Sequence, residues 1–189
     1  MASSVYVAFL RGINVGGNNM VSMKALKEAF ERAGFADVST YINSGNVLFR
    51  SKATDARRLE RQIDDLLTAG FGLTGKTVVR NQAEMEQLLK TIEKTWRPDP
   101  DWRYNVIFLR HAIDNPGVVK DLATKPEIER VVYCPGTLLW SARADGFARS
   151  AMVKLSARPL YREMTVRNLN TTTKVLQLMR RMNDAGASR

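Results

Sequence analysis

Three groups of residues in this 189-residue chain have the types and spacing that chemistry requires. The first is LRGINVGGNN, Leu10 to Asn19, where Gly12, Gly16 and Gly17 alternate with Asn14, Asn18 and Asn19 directly behind Arg11. Gly12 and Gly17 bracket four residues as the glycines of a P-loop do. Asn18 and Asn19 stand where that loop needs its Lys and its Ser or Thr, so nucleoside triphosphate hydrolysis is not expected. The G-x-G-x-x-G dinucleotide spacing fails as well. What remains is anion binding by backbone N–H groups at a helix start, where the helix dipole supplies the attraction without a lysine. The competing reading is a tight loop whose glycines and asparagines occupy left-handed backbone.

The second group is Arg167, Asn168, Asn170 and Thr171, followed by Lys174 on a basic helix. Asn170 is the expected cap. A backbone turn at a helix start beside Arg167 and Lys174 suits a phosphate, although capping alone also accounts for Asn170 and Thr171. The third group is His111 with Cys134, each the single member of its kind. Brought together by neighbouring strands they would make a thiol nucleophile with its base; a cysteine before Pro135-Gly136 reads instead as a turn residue. One His and one Cys exclude an internal disulfide and every metal site needing two such ligands, and no cofactor is expected. No carboxylate pair stands out, so an enzymatic role is left open.

Charge narrows the partners. The formal net charge is +10. From Arg143 to Arg189, ten Arg or Lys against three Asp or Glu leave +7 in the last quarter of the chain. Such a lopsided field attracts polyanions, although high charge also serves solubility alone. There is no apolar run near the roughly eighteen residues a membrane span needs, and MASSVYVAFLRG lacks a basic leader, so a cytoplasmic protein without a membrane is expected.

The elements that must position these groups follow from periodicity. Val5 to Leu10 is a strand, and Ser22 caps a helix whose Leu26, Ala29, Phe30 and Ala33 keep helical spacing until Gly34. Val38 to Ile42 and Val47 to Arg50 form a hairpin over Asn43, Ser44, Gly45 and Asn46. Thr54 opens a second helix, Lys76 to Arg80 is a strand, and Asn81 with Glu84 is a capping box for a helix from Gln82 to Lys94. After TWRPDPDW, read as a stiff linker, the order repeats. It runs through a strand Tyr104 to Leu109, a helix Asn115 to Ala123, a hairpin around Cys134 to Gly136, a helix near Gly146 to Leu155 and a strand near Met164 to Arg167. VAFLR (7–11) and VIFLR (106–110) match at four of five positions.

This is α+β: two tandem ferredoxin-like (βαββαβ) units with antiparallel sheets and a C-terminal helix, at 1–95 and 103–189 around a linker at 96–102. Both central strands are apolar on both faces, whereas the helices of such a unit cover one. A cover is therefore needed: the two units pack together, or a terminal helix lies across one sheet, for which the helix Thr171 to Met182, with its stripe Val175, Leu178, Met179 and Met182, is the candidate. In this topology the loop after the first strand, the hairpin turn and the loop Gly70 to Gly75 meet at one edge. Arg11, Gly12, Asn14, Gly16, Gly17, Asn18, Asn43, Ser44, Gly45 and Asn46 thereby form the first candidate site, and Arg11 should end near Asn46. An RNA-recognition reading lacks support at Gly45 to Phe49, which does not carry the Gly-Phe-Gly-Phe setting.

LRGINVGGNN, GF-x-DV-x-TYI-x-SGNV-x-F (Gly34 to Phe49) and TVRNLNTTTK (Thr165 to Lys174) resemble the bacterial family catalogued as domain of unknown function 1697. The resemblance implies a cytoplasmic α+β protein of two related halves and brings no activity. In similar sequences the loop often ends Gly-Gly-Lys; here position 18 is Asn18. The functional expectation is a binder of phosphate-bearing ligands, nucleic acid or a phosphorylated small molecule. The alternatives are an enzyme on a small anionic substrate, clamped by Arg11 and Arg167, and an interaction protein whose charge serves solubility.

Overall fold

The computed structural model describes residues 3–14, 19–74 and 76–187. Strand β1 (Ser4–Leu10), helix α1 (Met23–Arg32), strands β2 (Ala36–Tyr41) and β3 (Asn46–Ser51), helix α2 (Ala56–Phe71) and strand β4 (Thr77–Asn81) follow one another. The four strands make an antiparallel sheet ordered β2-β3-β1-β4, in which Phe9 stands opposite Asn46 on one side and Val78 on the other. Ser22 caps α1 by accepting from the Ala25 amide at 3.4 Å. Gly34, at φ +89°, lets the chain leave α1: its own N–H reaches the Glu31 carbonyl at 3.0 Å and that of Phe35 reaches Phe30 at 3.2 Å. Helix α2 is capped by Asp55 and not by Thr54. The Asp55 carboxylate accepts from Arg57 N at 2.9 Å and Arg58 N at 3.4 Å, a charge-assisted arrangement at the positive end of the helix. The capping box forms ahead of α3 (Gln82–Thr95): Asn81 N to Glu84 Oε2 at 2.7 Å, Glu84 N to Asn81 Oδ1 at 2.9 Å.

The first compact unit comprises residues 1–86 and 173–189. On one face of its sheet Tyr6, Ala8, Leu10, Val47, Phe49 and Val79 meet Leu26 and Phe30 of α1 and Leu59, Ile63 and Leu67 of α2. The second face of β1, Val5, Val7 and Phe9, is buried too. Helix α5 (Leu169–Ala187), longer than the sequence suggests, supplies buried Val175, Leu176 and Met179 to this unit, while Leu178 and Met182 stay half-buried. Arg50, 8% exposed, ties the helix down: its guanidinium donates to the Met182 carbonyl and, at 3.0 Å, to Asp37 Oδ2.

The second unit comprises residues 87–172, so the segment 96–102 lies inside it. Strands β5 (Trp102–Leu109), β6 (Glu129–Cys134), β7 (Thr137–Arg143) and β8 (Met164–Asn168) form a second antiparallel sheet, ordered β6-β7-β5-β8. The strand order repeats; the crossovers do not. Where helices Asn115 to Ala123 and Gly146 to Leu155 are predicted, the chain makes a 3-10 turn at Pro116–Leu122, another at Phe147–Arg149, and only a five-residue α4 (Ala151–Leu155). Pro116 at the first position, Asn115 accepting from Gly117 N at 2.9 Å, and left-handed Ala123 at φ +50° confine the first crossover to a short tight coil. Ile107, Leu109, Leu138, Trp140 and Ala142 pack on Val118, Leu122 and Leu155. Beneath them the buried Glu129 carboxylate accepts from Trp140 Nε1 at 2.9 Å, Lys125 N at 2.8 Å and Ala151 N at 2.9 Å. The fold is thus α+β with two four-stranded antiparallel sheets, consistent with two tandem ferredoxin-like units, though the second does not repeat the helices of the first. Among the described residues no helix is long and apolar enough to cross a membrane.

Two glycines of the first unit separate backbone strain from packing. Gly45, at φ +73°, would place a Cβ 2.8 Å from Leu10 Cβ, whereas a Cβ on Gly34 would meet nothing within 4 Å. Gly34→Ala is expected to cost about 1 kcal/mol, from left-handed backbone alone, and Gly45→Ala about 3 kcal/mol, because overpacking adds to it. Urea denaturation of both variants measures the two costs, and equal values would refute the packing contribution.

Candidate functional site

The register of the first sheet brings three loops to one edge. Leu10, the last residue of β1, stands opposite Thr77 at the start of β4, and Phe9 opposite Asn46 at the start of β3. The Leu10 amide donates to the Gly45 carbonyl at 2.7 Å, so half-buried Arg11 emerges beside the hairpin turn. Around it the described polar side chains bond to the loops themselves. Asn14, left-handed at φ +54°, donates Nδ2 to the carbonyls of Val21 and Asn43, each at 3.0 Å, and accepts from Val21 N at 2.7 Å. Asn19, at φ +51°, donates to the Gly12 carbonyl at 2.9 Å, and Gly12 itself is at φ +68°. Asn46 is fully buried and donates to the Tyr41 carbonyl at 3.1 Å and to Ser44 Oγ at 3.2 Å. Val15, Gly16, Gly17, Asn18 and Gly75 lie outside the described residues.

The second predicted group sits where β8 runs into α5. Here Asn168 is the cap and not Asn170: its Oδ1 accepts from Thr171 N at 2.7 Å, and its carbonyl accepts from Thr172 Oγ1 at 3.0 Å. Helix α5 begins two residues before Thr171, which moves the cap with it. Arg167 points into the protein. It is buried, donates Nη1 to Thr165 Oγ1 and to the Val166 carbonyl at 2.8 Å each, and burial pulls its pKa down to about 10, with Tyr161 acting weakly the other way. It therefore stays charged at neutral pH. Half-buried Lys174 lies further along α5.

Asn168 and Asn170 line a cleft with a volume of ≈ 550 Å³, together with Leu169, Pro98, Asp99, Pro100, Trp102, Arg103 and Tyr104. A second cleft, ≈ 370 Å³, shares Asp99, Trp102 and Tyr104 and adds Trp96, Arg97, Arg130, Val132, Leu139 and Ser141 among its walls. The Arg130 guanidinium lies over the Trp102 ring, 5.0 Å from its centroid. Trp96 meets Tyr104 edge to face at 5.0 Å, and the Tyr104 hydroxyl donates to the Arg97 carbonyl at 3.0 Å. Apart from Asn168 and Asn170, these walls were not among the predicted site residues. The signal for them is TWRPDPDW: two prolines that stiffen a turn and two tryptophans, read as linker ends although only Trp96 is fully packed down.

The thiol is buried at the end of β6. Burial pushes the Cys134 thiol up from the ordinary value, and the hydrogen bond with Thr137 only partly opposes this. Arg110, also buried, pairs with Glu163 at 3.3 Å. Among the described residues no group of three or more His, Cys, Asp or Glu could hold a metal.

A family model described as protein of unknown function (DUF1697) matches residues 3–140, which leaves the Thr165 to Lys174 motif beyond the matched span. A solved structure of a conserved bacterial protein from Streptococcus pneumoniae is 25% identical, with a TM-score of 0.84 over 95% of this chain and 99% of that one. An unknown protein from Galdieria sulphuraria is 14% identical with a TM-score of 0.26, covering 88% of this chain and 98% of that one, and carries no argument. No curated protein matches.

None of these likenesses brings a reaction, so the thiol is tested on its own. With its pKa raised, Cys134 is expected to react with maleimide at neutral pH far more slowly in the folded protein than in the urea-unfolded chain, and His111→Ala should leave that rate unchanged. Labelling of the folded protein that stays fast near pH 6 and slows in His111→Ala would restore the thiol nucleophile.

Proposed function

Because the chain belongs to the DUF1697 family, whose description carries no activity, we propose its function from its own geometry: it binds phosphate-bearing ligands, nucleic acid or nucleotide, in the cytoplasm. The observation that carries this reading is the ≈ 550 Å³ cleft at the start of α5, where exposed Arg103 and the carboxamides of Asn168 and Asn170 stand beside Trp102 and Tyr104. A helix start favours negative charge, a guanidinium gives a phosphate paired donors, and the aromatic wall accepts an organic body. The charge balance of +7 over the last quarter of the chain draws anions toward this end of the sequence. The cleft lies where β5 begins and β8 ends.

The glycine edge of the first unit enters the proposal in a secondary part. Arg11, Gly12, Asn14, Gly16, Gly17, Asn18, Asn43, Ser44, Gly45 and Asn46 remain its candidate residues. The internal bonds of Asn14 and Asn46 favour contact with a ligand through Arg11 and backbone over contact through carboxamides. Arg167, buried and charged, supports the floor of the second sheet while Arg103 reaches solvent.

Binding of this kind is dominated by charge. With about four phosphates neutralised, log K for a single-stranded oligonucleotide should fall with log salt at a slope near −0.7 × 4, or roughly −2.8, and Arg103→Gln should flatten the slope by about 0.7. Fluorescence anisotropy across several salt concentrations measures both quantities. No binding of any oligonucleotide or nucleotide at low salt overturns the reading.

A further inference from the structure

We propose that Trp102 is the stacking platform for an unpaired nucleobase, so that the ligand class is single-stranded nucleic acid or a free nucleotide in preference to duplex. The proposal rests on the phosphate-ligand reading above and adds the part of the ligand that phosphate contacts cannot recognise. Its basis is a ring held firmly and left partly uncovered. Trp102 begins β5, opposite Arg143 on β7, and its amide donates to the Asp99 carbonyl at 3.0 Å, which fixes the ring's attachment to both a sheet and a proline-stiffened turn. Trp96 and Tyr104, locked edge to face, form a rigid wall beside it. Yet Trp102 itself is only half-buried and lines both clefts.

Arg130 occupies part of that ring's surface. It lines the ≈ 370 Å³ cleft and not the ≈ 550 Å³ cleft, onto which Trp102 also opens. A planar base fits an indole with an arginine already stacked on it, because cation and base polarise the same π-system. The charge of the walls agrees. Arg97, Arg103 and Arg130 stand against Asp99 alone, three positive charges to one negative, and Asp99 already accepts from Asp101 N at 2.8 Å. In the ≈ 370 Å³ cleft Val132 of β6, 41% exposed, adds an apolar surface on which a neighbouring sugar or base can lie. A paired base has both faces covered by its own neighbours and cannot reach a recessed ring, so duplex is excluded from the subsite.

The test uses the full chain with four probes: a mixed-sequence single strand, its duplex, an abasic strand of equal length, and adenosine monophosphate as competitor. Stacking on one ring predicts that the single strand binds about tenfold or more tighter than the abasic strand. Trp102→Leu should abolish this difference while leaving abasic binding and the salt slope unchanged, and Trp102→Phe should retain part of it. Competition by the monophosphate at its own affinity assigns a free nucleotide; competition only by oligomers assigns a strand. Equal binding of base-bearing and abasic strands by the unmodified protein, or tighter binding of duplex, overturns the stacking proposal and leaves the phosphate reading standing. Binding of none of the probes removes both. The comparison on the unmodified protein decides the matter even if Trp102→Leu does not fold.

Discussion

A central strand buried on both faces is the constraint from which the rest of this structure follows. In β1 every residue from Val5 to Leu10 is buried, and in β5 the run Val106 to Leu109 is buried likewise. Helices on one side satisfy half of that demand, and leaving the other half in water would forfeit the burial of side chains such as Phe9, worth about 2 kcal/mol each. In the first unit α5 carries buried Val175, Leu176 and Met179 and is held to β3 through the Arg50 guanidinium on the Met182 carbonyl. The second takes in the last nine residues of α3 together with Trp96, whose ring closes on Tyr104. Beyond Trp96 the chain from Arg97 to Asp101 is exposed and walls the clefts beside Trp102, and Trp102 and Tyr104 at the start of β5 stay half-buried.

Much of this architecture was legible because its causes are local. Hydrophobic alternation marks the strands, Gly34 marks the end of α1, and Asn81 with Glu84 marks the entry to α3, each read from a few neighbouring residues. What was not legible depends on context that spacing does not carry. Asn168 and Asn170 are equivalent caps until the register of β8 against β5, Asn168 opposite Asn105, decides where the strand stops. Asp55 displaces Thr54 because a carboxylate can serve two amides at once. The second unit's crossovers shrink to 3-10 turns, begun by Pro116 and Pro159, and the short α4, and left-handed Ala123 ends the first of them.

The glycine-rich loop shows why a motif reading and a structural one can share every residue. Left-handed glycines and asparagines allow a backbone to approach an anion, and they equally allow a loop to fold back on itself. Here Asn14 and Asn19 spend their carboxamides on Val21, Asn43 and Gly12. Composition alone cannot distinguish a carboxamide offered outward from one turned inward. The TWRPDPDW segment carries the opposite lesson, since its prolines suggested a spacer while its second tryptophan belongs to a strand of the sheet.

The way each sheet obtains its second cover has a consequence for how such a chain can be divided. The first unit includes residues 173–189, which the ribosome makes only after the whole of the second, and the second includes the end of a helix that starts in the first. Cutting at Pro98 would therefore not release two autonomous domains but two incomplete halves, one missing the helix that Arg50 anchors. Synthesis from the N-terminus completes the first unit only when the last helix emerges. The apparent duplication is thus interleaved along the chain, the second unit's residues lying between the two segments of the first.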